Sequence, residues 1–153
     1  MIKPGETSLK AREVGVRDQQ IEKDYMLSWI LQGVAQNEQL SNAIVFKGGT
    51  VLKKIYFEDY RFSEDLDFTL LNNEITNEQI FAWFKETFEY ILEEANIRLE
   101  IIDNNEHEDG GINFYISYIG IADVHDEKTR SYNMSQIKGK NTKPEMFVLF
   151  QIR

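Results

Sequence analysis

The tightest constraint on the fold lies in residues 46–68, FKGGTVLKKIYFEDYRFSEDLDF. An apolar run, Ala43-Ile44-Val45-Phe46, is broken by Gly48-Gly49; a helix-compatible segment follows, and Asp65-Leu66-Asp67 then leads into more apolar residues. That order predicts strand, glycine turn, helix, strand. On a strand, residues i and i+2 share a face, so Asp65 and Asp67 project together while Leu66 and Phe68 point into the core. Two carboxylates side by side repel and need a compensating charge. A divalent cation supplies it: Mg²⁺ (or Mn²⁺) is held by one or two protein carboxylates plus substrate phosphates, which suits a strand-borne Asp-x-Asp.

Gly48-Gly49-Thr50 offers the other half of such a site. Glycines let backbone N–H groups approach phosphate oxygens, and a following helix presents its positive N-terminal end. The same turn also reads as ordinary turn chemistry, and an exposed Asp-x-Asp as solvated charge. The conjunction of the two, with apolar strands behind both, points to a nucleotide-metal site. Lys47 and Arg61 are candidate cations for a triphosphate. Lys53 and Lys54 fall on the helix after the turn, where a lysine reaches a phosphate as a point charge or simply faces solvent. Arg61 and Ser63 would bring a guanidinium and a hydroxyl beside the triphosphate, with pairing of Arg61 to Glu64 or Asp65 as an equal structural alternative.

Phe46-Lys47-Gly48-Gly49-Thr50 with Leu52 and Lys54, followed by Arg61-Phe62-Ser63-Glu64-Asp65-Leu66-Asp67-Phe68, resembles the signature of the AbiEii/AbiGii-type nucleotidyltransferase toxins, within the DNA-polymerase-β-like nucleotidyltransferase superfamily. Glu22-Lys23-Asp24-Tyr25 reads by spacing as a solvated polar face over a core stripe; its helix is also similar to the one that precedes the glycine motif in that family, which implies a structural support of the site. The resemblance implies an α/β (α+β) fold, a nucleotidyltransferase-like mixed sheet of about four strands with packed helices, truncated. It implies a toxin of an abortive-infection or toxin–antitoxin system that transfers a nucleotide from a nucleoside triphosphate, with GTP as candidate, to an RNA or protein acceptor. A cognate antitoxin and a homodimer are further expected partners. By the same resemblance Asp65, Asp67, Ser63 and Arg61 are catalytic, and Lys47, Gly48, Gly49, Thr50 and Lys54 bind the nucleotide. Asp65 and Asp67 would take the metal, with Glu100 as the available third carboxylate from a neighbouring strand. The family's later Lys and Asp motif lies in a C-terminal half that this chain does not contain, which leaves open a catalytically inactive remnant that binds nucleotide or a partner.

Around this centre, residues 17–35 carry Ile21, Tyr25, Leu27, Trp29, Ile30, Leu31 and Val34 at helical spacing, and 37–42 reads as polar loop. Thr76 with Gln79 forms a capping-box pattern ahead of the stripe Ile80, Phe81, Phe84, Phe88, Ile91 and Leu92, which predicts a core-facing helix to about Ala95. Residues 97–102 and 112–119 read as a hairpin around an acidic turn, with His107 solvent-exposed.

The 153-residue length favours one domain. With no cysteine, thiolate metal sites are excluded and carboxylates and two histidines are the remaining ligands. No apolar run approaches a membrane span, and the N-terminus lacks the apolar stretch of a secretory signal, so a cytoplasmic, non-membrane protein is expected. A net charge of −9 argues against a broad basic nucleic-acid platform. Of 17 basic and 26 acidic residues, only six and four lie from position 121 onward, so the body is near −11 and the tail near +2.

That change of character coincides with a second resemblance. IADVHDEKTRSYNMSQIKGKNTKPEMFVLFQIR is similar to the N-terminal beginning of very-short-patch repair endonucleases. The expected division is therefore 1–120, a nucleotidyltransferase-like domain, and 121–153, a tail joined by fusion of two gene fragments. Within the tail, Pro144 to Leu149 reads as a short helix with an allowed proline at its start, packing on the body as a terminal element.

Overall fold

The computed structural model describes residues 2–57, 61–63, 65–108, 111–118 and 147–152. Five helical segments and five strands occur in the order α1 (Pro4–Val14), α2 (Asp18–Gln36), α3 (Glu38–Ala43), β1 (Ile44–Lys47), α4 (Gly48–Val51), β2 (Asp65–Leu70), α5 (Asn77–Ala95), β3 (Leu99–Glu106), β4 (Ile112–Tyr118) and β5 (Phe147–Ile152). α4 runs on directly as a π-helical turn over Leu52–Tyr56. The strands form one mixed sheet in the order β1-β2-β5-β4-β3. β2 and β5 pair in parallel, and the other three pairs are antiparallel. The fold is α/β with one strand more than the expected four. No helix among the described residues is long and apolar enough to cross a membrane.

Its core lies between one face of the sheet and a helical layer. α5 brings Ile80, Phe84, Phe88 and Ile91, and α2 brings Met26, Leu27 and Ile30. They pack on Leu66 and Phe68 of β2, Ile112, Phe114 and Ile116 of β4, and Ile152 of β5. Phe84 stacks edge-on against Phe114 with centroids 5.1 Å apart. Gly33 lets α2 and α5 approach closely, since a Cβ there would come within 2.7 Å of the Thr87 methyl.

The capping box at α5 forms as its sequence predicts. The Thr76 hydroxyl accepts from the Gln79 N–H and the Gln79 side chain accepts from the Thr76 N–H. β3 and β4 pair as the expected hairpin, with a register shift between Ile101 and Asp103; β3 begins at Leu99 and continues through Glu106, beyond the 97–102 expected, and position 119 lies outside the described residues.

Two expectations change. Residues 38–43 are helical, not loop: the Asn37 side chain caps the turn by accepting from the Leu40 N–H, and Leu40 and Ala43 are buried. Phe147–Leu149, read as part of a terminal helix, belong to β5. An apolar run of this length satisfies either element by periodicity, and pairing with two distant strands decides it. The strand sits in the middle of the sheet, hydrogen-bonded to β2 on one side and β4 on the other. Within the proposed 121–153 tail, β5 alone is described; Pro144, Glu145 and Met146 lie outside the described residues.

Candidate nucleotide site

β2 begins with the alternation that its sequence demands. Leu66 and Phe68 are buried at 0% and 1% exposure, while Asp65 is exposed and Asp67 half-buried on the other face. β1 runs antiparallel beside it, with Lys47 directly across from Asp67. Same-face neighbours across an antiparallel pair lie about 5 Å apart at Cβ, so the half-buried Lys47 stands beside the acidic pair.

From Lys47 the chain turns over the end of β2. Gly48 adopts φ +82°, in the left-handed region. Its backbone lies so close to Asp67 that a Cβ would run into the carboxylate. Gly49 faces Ser63, whose Oγ would be 3.5 Å from a Cβ at that position. Thr50 is buried, and its hydroxyl donates to the Asp65 carbonyl, stitching the first turn of α4 to β2. Lys47, Gly48, Gly49 and Thr50 therefore converge with Ser63, Asp65 and Asp67 from two stretches of chain. Lys53 lies over the Phe62 ring at 4.8 Å, which holds the segment of Arg61 and Ser63 against the π-helical turn; Arg61 itself is exposed.

Two expected members of the site stand elsewhere. The Lys54 ammonium turns toward α2, pairing with the Asp24 carboxylate at 2.6 Å and donating to the Asp24 carbonyl at 3.0 Å and Ser28 Oγ at 2.8 Å. An ammonium has three donors, and all three are engaged away from the acidic face. Asp24 belongs to the Glu-Lys-Asp-Tyr stretch expected to support the site structurally; Ser28 had no expected role, and its i, i+4 spacing from Asp24 on α2 was the available signal.

Glu100 is on β3, at the opposite edge of the sheet from β1. β5 and β4 intervene between β2 and β3, a separation of about 14 Å at ordinary strand spacing. Metal–oxygen bonds of about 2 Å cannot bridge it. β2 is flanked by β1 and by β5; β5, with Leu149 in register with Asp65 and Gln151 with Asp67, has the sequence FVLFQI, which carries no acid, and β1, Ile44–Lys47, carries none either.

Among the described residues no group of three or more His, Cys, Asp or Glu could hold a metal ion. Two adjacent carboxylates beside a glycine turn fit a cation that arrives with a phosphate-bearing ligand, whose oxygens complete the coordination, and do not fit a closed protein cage.

The family model described as Nucleotidyl transferase AbiEii toxin, Type IV TA system, matches residues 29–136. The match starts within α2, covers the whole glycine turn and acidic pair, and runs past position 121. No curated protein matches the chain.

Proposed function

The chain belongs to the AbiEii nucleotidyl transferase toxin family of type IV toxin–antitoxin systems, and we propose that it binds a nucleoside triphosphate with Mg²⁺ or Mn²⁺ at the end of β1 and β2. The observation that carries this reading is the left-handed Gly48 backed against the Asp67 carboxylate. It brings backbone amides and paired carboxylates to one spot, the two groups that a metal-bound triphosphate requires.

In this reading Asp65 and Asp67 hold the cation, which when bound neutralises phosphate charge. The amides of Gly48, Gly49 and Thr50 orient the phosphates; Lys47, and Arg61 by its length, add positive charge. Ser63 lines the turn as a donor. GTP is the nucleotide proposed, RNA or protein the acceptor, and a cognate antitoxin and a second copy of the chain the partners. The place of action is the cytoplasm.

A second reading, a binding domain with little or no transfer, is favoured by one observation: β5 beside the acidic pair offers Leu149 and Gln151 and no carboxylate. Transfer depends on holding the attacking group in line and stabilising developing charge, and a base for the attacking hydroxyl is missing from the neighbouring strand. Incubation with labelled GTP, Mg²⁺ and total bacterial RNA or protein separates the two. Labelling that disappears in Asp67→Asn supports transfer. Tight metal-dependent binding without labelling leaves the binding domain.

A further inference from the structure

The segment Gly48–Tyr56 that forms the glycine turn and its helix contributes no apolar side chain to the buried core, with Val51 and Leu52 half-buried. Thr50 is its one buried residue, and Ile55 and Tyr56 are more than 60% exposed. A helical segment this short does not hold its conformation alone, so its position depends on tertiary ties. Its polar ties include the Thr50 hydroxyl to the Asp65 carbonyl at the front, the Lys53 ammonium over the Phe62 ring, and Lys54 to Asp24 and Ser28 at the back.

We infer that the Lys54–Asp24–Ser28 clasp positions the phosphate-binding turn, so that Asp24 and Lys54, which face away from the acidic pair, set the affinity for the metal-bound triphosphate without touching it. The inference rests on the reading of the turn as a triphosphate cradle. The clasp has the geometry for this role. Side-chain exposures of 19% for Lys54 and 26% for Asp24 mean that the pair is partly withdrawn from water, where an ion pair is screened less than at the surface. Ser28 is itself fixed by donating to the Asp24 carbonyl at 2.8 Å, so the acceptors are rigidly presented on a helix whose other face is in the core. The clasp links Asp24 of the Glu-Lys-Asp-Tyr stretch to the glycine motif, residues 30 apart in sequence.

The test uses the full chain with Asp24→Asn, Lys54→Gln, the double variant, and the reciprocal Asp24→Lys/Lys54→Asp. Two readouts are taken: amide hydrogen exchange without nucleotide, and calorimetric affinity for GTP with Mg²⁺. Loss of a partly buried pair is expected to speed exchange over residues 49–56 about tenfold, leaving α5 unchanged, and to weaken GTP binding about tenfold. Both single variants should give the same loss, the double variant no more, and the reciprocal exchange should restore part of it. Asp24→Asn with wild-type exchange overturns the inference, as does loss of affinity in Lys54→Gln alone, which would make Lys54 a phosphate ligand. Faster exchange throughout α5 also overturns it, by making the clasp a support of the whole fold. If the wild-type chain does not bind GTP, the cradle reading has failed, and unchanged or segment-specific exchange still decides the clasp.

Discussion

At the scale of single residues, the two glycines of the turn have different physical reasons to be there. Gly48 has φ +82° and no room for a Cβ beside Asp67. Gly48→Ala therefore costs about 1–2 kcal/mol for the left-handed backbone, with the collision against the carboxylate added, and is expected to remove metal-dependent nucleotide binding. Gly49 lies at ordinary contact distance from Ser63 and is helical, so Gly49→Ala should leave stability unchanged or raised by up to about 1 kcal/mol. Chemical denaturation of the two variants checks the asymmetry; equal destabilisation would contradict it. The acidic pair and this turn were legible in the sequence because both are local: strand period places Asp65 with Asp67, and paired glycines signal a turn. The direction of Lys54 was not, because its partner sits 30 residues away on another helix.

Among the elements, α5 was the easiest to read and the most self-sufficient. Its capping box, apolar stripe and left-handed C-terminal Asn96 all agree with the fold. Thr76→Ala should cost about 1 kcal/mol, measured by thermal unfolding. The Glu78 carboxyl in its first turn is held below the usual range, first by the backbone hydrogen bond at Glu78 and then by the Thr76 hydroxyl. A depressed carboxylate stabilises the fold above its unfolded-state pKa, and that contribution disappears as pH falls through the folded value. The gap between wild type and Thr76→Ala should thus narrow in acid; a gap that widens there would contradict this account of the cap. Elements without such signals were missed. α1 starts with Pro4 and a Glu6 carboxylate accepting from the Lys3 N–H, yet Leu9 and Val14 are exposed, so no apolar period announced it. α3 has only six residues, and its Asn37 cap was the single clue.

For the whole molecule, the decisive element is β5. Periodicity could not separate strand from helix in its apolar run, and its partners β2 and β4 are far away in sequence, so only tertiary pairing reveals it. Because β5 is the central strand, it joins the β1-β2 half that carries the site to the β4-β3 half. Deletion of residues 123–153, harmless if these merely packed as a terminal element, is instead expected to abolish cooperative unfolding, and Ile152→Ala, at a position 2% exposed, to cost about 3 kcal/mol. A truncated chain that unfolds like the full one would remove β5 from the sheet. The central claim, that the glycine turn and acidic pair form one metal-dependent nucleotide site, is tested most directly by calorimetric titration of GTP with and without Mg²⁺ into the wild type and Asp65→Asn/Asp67→Asn. The account predicts Mg²⁺-dependent binding by the wild type that is lost in a variant still folded by circular dichroism. Silence of the wild type at millimolar GTP, or binding that the variant retains, would contradict it.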